Sequence, residues 1–255
     1  MIELQILIPT YNCAGFIGET IASVLSQSYS EFEIVVVDNA STDNTENIVK
    51  SFFDKRVKYL RNITNIGAIG NHNLCLDILD ATYIKILSAD DVLMPGILKK
   101  QVDALNLHPN VGVVSCNCIV TDASLTRIGE ATYLNGYWKG EDAVNKCVRK
   151  VANLIGAPSN TMLRTSIIKN IRFDSKLKWY GDLDFACQLL LNSDYLNIDD
   201  YGFYYRRHEK SDSVLGCNKK VRFQDEFKFV LINGSYLFSF TRVIFRYARA
   251  FIFNR

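Results

Sequence analysis

A chain of 255 residues, 48% of them apolar, can bury one large α/β core or two small ones. A formal charge of +2 argues against wholesale binding of nucleic acid. The charge is unevenly placed: residues 219–255 hold eight basic and two acidic side chains, +6, which leaves −4 on residues 1–218.

Residues 4–8 predict a short buried strand, and Phe16, Ile17, Ile21, Val24 and Leu25 follow at helical spacing. Residues 32–37, rich in β-branched side chains, predict a second buried strand. Asp43 and Glu46 stand as an N-cap and its third-position partner, opening a second helix. Residues 57–60 predict a third strand, residues 68–80 a helix and residues 83–87 another strand. Pro95, Ile97, Leu98, Val102 and Leu105 mark a further helix, with Pro95 near its first turn. Residues 111–120 are again strand-like, and residues 121–160 mix polar loops with Tyr133, Tyr137 and Trp138. Gly156 to Ser159 precede a short strand over 161–163, and residues 182–192 predict an amphipathic helix with Leu183, Ala186, Leu189 and Leu190 on its apolar side. Residues 223–253 are aromatic and aliphatic, with Arg242, Arg246 and Arg249 on one helical face.

Strands alternating with helices imply a mostly parallel sheet covered on both faces. Ligands in such sheets bind outside the carboxyl ends of the strands. The exits here, Pro9 to Asn12, Asp38 to Asp43 and Ser88 to Asp91, are all polar and should line one crevice. Asp90 and Asp91 stand out among them. Two adjacent carboxylates at the end of an apolar strand repel unless a positive partner lies near, and a divalent cation beside a phosphate-bearing substrate would supply one. The alternative is an acidic loop that caps a helix.

Seven cysteines in irregular positions, including Cys116 and Cys118, lack the spacing of zinc knuckles. They imply free, mostly buried thiols in a reducing cytoplasm. The N-terminal stretch lacks a basic region and is too short in apolar residues for a signal peptide. The longest uncharged run of the basic tail, residues 229–241, is too short to span a bilayer. The tail could lie on the inner face of the plasma membrane, pack on the domain, or meet a dimer partner. Dinucleotide and P-loop fingerprints are absent.

The order Ile8-Pro9-Thr10-Tyr11-Asn12, Val37-Asp38-Asn39-Ala40-Ser41-Thr42-Asp43, Asn65-Ile66-Gly67 and Ser88-Ala89-Asp90-Asp91 resembles the inverting family 2 glycosyltransferases of GT-A fold. The resemblance is close over residues 4–100 and looser over 155–213. It implies an α/β fold: one Rossmann-like domain over residues 1–218, with a mixed, mostly parallel central sheet and a C-terminal helical tail. Residues 1–120 would form the nucleotide half, 121–218 the acceptor half, and 219–255 the basic amphipathic tail.

By resemblance, Pro9, Thr10, Tyr11, Asp38 and Asn39 would hold the base and ribose of a nucleotide-sugar donor, UDP-linked by preference. Asn65, Gly67 and His72 would lie near the diphosphate; His72 stands where an Arg is usual, and a neutral His could still donate one hydrogen bond. Ser88 and Ala89 precede Asp90, the implied ligand of Mn2+ or Mg2+. Ser88 replaces the first acid of the family motif, so Asp91 would supply the missing charge or orient a water beside the metal. The segment Tyr205 to Ser213 carries over a further ligand, His208, with Arg206 and Ser211 as weaker candidates. Asp182 aligns with the general base, and a helix N-terminus favours its ionised form; Gly181 stands where Glu is usual. Trp179 and Asp184 would serve the acceptor, a saccharide or lipid-linked saccharide. The departures at Ser88, His72 and Gly181 leave open a second reading, a catalytically inactive nucleotide-binding relative that scaffolds a glycan-assembly complex.

Overall fold

A computed structural model describes residues 2–209, 211, 219–233 and 243. In chain order its first half runs β1 (Ile2–Thr10), α1 (Ile17–Leu25), β2 (Phe32–Asp38), α2 (Thr45–Lys50), β3 (Val57–Arg61), α3 (Gly67–Asp77), β4 (Ala81–Ile86), β5 (Val92–Leu93), α4 (Ile97–Leu107) and β6 (Val111–Thr121). The second half runs β7 (Arg127–Ala131), β8 (Gly136–Trp138), α5 (Gly140–Lys150), β9 (Met162–Arg164), α6 (Gly181–Leu190), β10 (Asp194–Arg206) and α7 (Lys219–Asn233), with a 3-10 turn at Pro158–Asn160.

The ten strands join in one sheet along the path β3-β2-β1-β4-β9-β6-β10-β5, with β7 on β6 and β8 on β10. Strands β3, β2, β1 and β4 are parallel neighbours, as are β6 and β10, while β9 runs antiparallel between β4 and β6. The pleat sends alternate side chains to opposite faces. Leu4, Ile6, Ile8, Ile34 and Val36 pack with α1 and α4 on one side. Leu7, Val35, Val37, Ile84 and Ile86 pack with α3, α5 and α6 on the other.

The expected elements of the first half are present, mostly with longer strands. Two local expectations need correcting. Asn44, not Asp43, is the N-cap residue of α2, and it makes no side-chain cap; Asp43 instead accepts from the Thr45 N–H and hydroxyl and from the Ala14 N–H. Glu46 pairs with Lys50 and Arg61 rather than closing a capping box. Pro95 lies outside α4, which Gly96 opens in a left-handed conformation at φ +79°.

In the irregular second half periodicity missed β7, β8, α5 and β10. In β10 the ladder slips at Asn197/Tyr201 and Tyr201/Phe203, and Asp199 sits at φ +50°, so alternation along the strand is broken. In α5 the buried side chains are Ala143, Val144, Cys147 and Val148, a short stripe in a polar segment. In α7, Phe229 and Val230 are fully buried in the same core as α5 and α6. The remainder of the expected basic helix, with Arg242, Arg246 and Arg249, lies outside the described residues. No described helix is long and apolar enough to cross a membrane.

The described cysteines are free, and all but Cys13 are buried. Burial pushes the thiols of Cys116 and Cys118 up to about 11 and that of Cys147 up to about 12, and raises Cys75 and Cys187 as well. The native state therefore keeps protons that the unfolded chain releases above its ordinary thiol range. This stabilisation is complete below about pH 8.5 and is lost as pH rises through the folded values. Urea unfolding from pH 8 to 10.5 should show stability falling by about 1.4 kcal/mol per pH unit for each thiol that ionises only on unfolding. Cys147→Val should flatten that slope by about one proton; an unchanged slope would refute the assignment.

Candidate active site

Strands β1, β2 and β4 are register neighbours, so their carboxyl ends open on one edge of the sheet. The first two exits are stitched together. The Asn12 N–H donates to Ser41 Oγ (2.9 Å), the Thr42 N–H to Asn12 Oδ1 (2.7 Å) and the Cys13 N–H to Thr45 Oγ1 (3.1 Å). Asn12 itself takes a positive φ of 50°. Pro9 is half-buried and Thr10 buried, while Tyr11 is 48% exposed and open to solvent.

Asp38 is fully buried. Its Oδ1 accepts from the Ser41 N–H (2.9 Å) and hydroxyl, and its Oδ2 from the Tyr59 hydroxyl and Arg61 Nη1 (2.8 Å). A base N–H or ribose hydroxyl would reach it by replacing or sharing with one of these donors. Asn39 is equally committed. Its Oδ1 accepts from the Ile66 N–H (2.9 Å) and Asn62 Nδ2 (3.0 Å), and its Nδ2 donates to Asn65 Oδ1 (2.9 Å). Asn65 Oδ1 also accepts from the N–H of Gly67, whose φ of +79° favours glycine. These two residues shape the loop of residues 62–67, and Asn65 is left exposed on it.

His72 lies on α3 with its ring edge-on to Phe173 (5.3 Å). Its Nδ1 is 2.9 Å from the Ala68 carbonyl. In this arrangement the single N–H of a neutral ring is used on the protein, and the doubly protonated ring has a second N–H to give. Next to it, Asn73 exchanges two hydrogen bonds with the backbone of Phe173, which ties α3 to the second half of the chain.

Beneath the third exit lies Lys85, fully buried in β4. Its ammonium donates to Gln101 Oε1 (3.1 Å) and to the carbonyls of Ser159 (2.7 Å) and Thr161 (3.3 Å). Burial lowers its pKa to about 8. The cation holds the 3-10 turn against the strand, and Ser159 Oγ accepts from the Ser88 N–H (3.0 Å) and donates to the Ser88 hydroxyl (3.2 Å). Ser159 thereby fixes Ser88. Ala89 is buried, and its carbonyl accepts from the Thr20 hydroxyl (2.8 Å).

The two aspartates part company here. Asp90 stays in the crevice, 22% exposed, with its Oδ2 3.0 Å from Nε2 of His208, which is 13% exposed. His208 stacks on Phe16 (4.5 Å) and its N–H donates to Ser211 Oγ. Asp91 is buried: its Oδ1 accepts from the Arg206 N–H (3.1 Å), joining the turn to the end of β10. Burial first, then the charge of Asp90, holds the Asp91 carboxyl well above the usual carboxylate range, while Ser159 and Arg206 pull the other way. Asp91 thus forms a strut between the turn after β4 and the end of β10, two residues before His208. The Arg206 guanidinium lies buried over the Phe16 ring and pairs with Glu19. Burial, then Asp90, pushes the nearby Cys13 thiol up to about 12.

At α6, Asp182 is exposed in the first turn and lines a cavity of about 20 Å³ with Ile86, Pro158, Phe173 and Phe185. A Cβ on Gly181 would meet open space. Asp184 is buried, and its oxygens accept from Gln188 Nε2 (2.7 Å) and Asn233 Nδ2 (2.9 Å). Trp179 is half-buried beside them.

Among the described residues no three His, Cys, Asp or Glu side chains form a metal cluster. Asp90 and His208 nevertheless fit one role. Adjacent ligands about 2.1 Å from an octahedral cation stand about 3.0 Å apart, and such ions commonly take one or two protein ligands and complete their shell with phosphates and water. Asp90 Oδ2 and His208 Nε2 have that separation.

The mixed, mostly parallel sheet and the polar edge it presents are those of a GT-A fold. A family model described as glycosyl transferase family 2 matches residues 5–172, and the chain belongs to that family. Escherichia coli WfaP, named a UDP-Glc:alpha-D-GlcNAc-diphosphoundecaprenol beta-1,3-glucosyltransferase, is 28% identical over 223 residues, 86% of this chain and 83% of WfaP. Bacillus subtilis EpsE is 35% identical over 123 residues, 47% of this chain. The chain spans only 44% of EpsE's own length. Among solved structures, Staphylococcus aureus TarS 1-349 in complex with UDP-GlcNAc superposes with a TM-score of 0.74 at 21% identity, covering 92% of this chain and 68% of that one.

Sequence reasoning gave no site role to Lys85, Glu19 or Phe16, nor to Ser159 a contact with Ser88. Only Lys85 left a signal, a lone charge between Ile84 and Ile86 in an otherwise apolar strand. Lys85→Met should lower stability by about 2–4 kcal/mol in urea unfolding, because three buried acceptors lose their donor. Ser159→Ala should lower it by about 1 kcal/mol. Equal effects of the two substitutions would show that Lys85 does not anchor the turn.

Proposed function

We propose that this chain is an inverting glycosyltransferase that moves a sugar from a nucleotide diphosphate, UDP by preference, to a hydroxyl of a lipid-linked saccharide. The observation that carries this reading is the Asp90–His208 pair at the exit of β4, on the edge where β1 and β2 also end. The UDP-Glc donor and diphosphoundecaprenol acceptor named for WfaP support the substrate class. The UDP-GlcNAc complex of TarS supports the fold's capacity for such a donor.

In this reading Tyr11 and Asn65, exposed beside the first two exits, meet the nucleotide, with Pro9 and Thr10 behind them. Asp38 and Asn39 hold those loops in shape. Asp90 and His208 would hold Mn2+ or Mg2+, which when bound offsets negative charge on a diphosphate leaving group. Asp182 accepts the proton of the acceptor hydroxyl as its oxygen forms a bond to the anomeric carbon and the bond from that carbon to the diphosphate breaks. Attack opposite the leaving group inverts the configuration. Trp179 offers a ring face for the acceptor sugar. Attachment to the inner face of a membrane would fall to residues beyond 233.

Incubation with a panel of nucleotide sugars and a saccharide diphospholipid in Mn2+ should give transfer that EDTA abolishes. Asp182→Asn should lower kcat by about 10²–10⁴-fold while leaving UDP affinity nearly unchanged. Asp90→Asn should weaken Mn2+-dependent UDP binding by about tenfold or more. Tight UDP binding with no turnover for any donor would instead favour the scaffold reading motivated by Ser88, His72 and Gly181.

A further inference from the structure

Helix α7 begins 47 residues beyond the end of the family match at residue 172, yet it grips the segment that presents Asp182. Its inward face carries two acids, Asp225 and Glu226, both buried beside the apolar Phe229 and Val230. Buried carboxylates are costly unless hydrogen-bonded, so their partners show what the helix holds. Asp225 Oδ2 accepts from the Trp179 N–H at 2.5 Å. Glu226 Oε1 accepts from Arg222 Nε (3.1 Å) and lies 3.5 Å from the Tyr180 hydroxyl, which donates to the Val151 carbonyl at 2.9 Å. The Arg222 guanidinium stands 5.7 Å over the Trp179 ring. Lys228 Nζ reaches the Lys176 carbonyl on the same side (3.1 Å), and on the far side of Asp182 Asn233 Nδ2 donates to Asp184 Oδ1 (2.9 Å). The chain is thus tied to one helix three residues before Asp182 and two residues after it.

We propose that Asp225 and Asn233 are positioning residues that set the orientation of Trp179 and the first turn of α6, and through them the placement of Asp182 toward the acceptor. The proposal rests on the reading of Asp182 as the base. A charged acceptor on a backbone N–H makes a strong, directional bond, suited to fixing a loop that carries no regular structure of its own. The donor side, built on Asp90 and His208, makes no use of these contacts. Loss of the clamp should therefore affect transfer and leave donor binding alone.

The test uses the full chain with Trp138→Phe, which leaves Trp179 as the only tryptophan. Asp225→Ala should raise acrylamide quenching of Trp179 several-fold, and Asp225→Asn, which keeps an acceptor oxygen, should restore much of the protection. With the donor found active in the panel above, Asp225→Ala and Asn233→Ala should lower kcat by about 10–100-fold and move the acidic limb of the pH profile. KM for the donor and UDP affinity in Mn2+ should stay within about twofold. Unchanged quenching overturns the proposal even if the wild-type chain transfers no sugar, so its failure is separable from failure of the glycosyltransferase reading. A fall in thermal stability with kcat and pH profile intact would also overturn it, by reducing the contacts to structural ones. If Asp225→Ala fails to fold, Asp225→Asn and Asn233→Ala carry the same readouts.

Discussion

Two carboxylates side by side at the mouth of a buried strand repel each other and lose hydration together. The surroundings of Asp90 and Asp91 answer that conflict by separating them. Asp91 turns inward, with a carboxyl held well above the usual carboxylate range and a hydrogen bond to the Arg206 backbone. Asp90 turns outward to His208. The inward bond draws the end of β10 onto the turn after β4, and the residues that follow β10 bring His208 to Asp90. Arg206 places a buried cation near both acids, with Glu19 as its partner at the surface. The site is therefore closed by two strand ends 115 residues apart along the chain at the Asp91–Arg206 contact.

Lys85 performs the matching task on the neighbouring side. A charged amine with no exposure must be satisfied by the protein, and here two backbone carbonyls of the 3-10 turn and Gln101 satisfy it. The turn thereby gains a fixed height above the strand, and Ser159 can reach Ser88. Removing charge at Ser88 relative to the family motif is compatible with this arrangement, since a hydroxyl can both donate to and accept from its neighbours whereas a carboxylate can only accept.

The parallel half of the sheet was legible because its strands are buried on both faces and read as unbroken apolar runs, as in residues 32–37. The polar exits could be placed in one crevice from that alone. The second half was less legible for two physical reasons. Bulges in β10 destroy the two-residue alternation on which recognition of a strand depends. Contacts such as Asp225 to Trp179, or Asp90 to His208, join residues 46 and 118 positions apart, and no local pattern encodes them. The roles carried over by resemblance had a different weakness. Spacing identifies which residue occupies a position but not whether its polar atoms are free, and Asp38, Asn39, His72 and Asp184 all turn out to spend theirs on the protein itself.

That distinction bears on the proposed chemistry. With Asp91 buried and Ser88 neutral, one carboxylate and one imidazole face the place where a cation would sit. A divalent ion held by two protein ligands has most of its coordination shell left over, and diphosphate oxygens are the natural complement. Affinity for the ion would then depend on the nucleotide, and affinity for the nucleotide on the ion, because each supplies what the other lacks. Such mutual dependence costs the protein little in permanent charge repulsion and leaves the crevice uncommitted until both partners are present. On the proposed reading, the substrate would thereby complete the site that Asp90 and His208 begin.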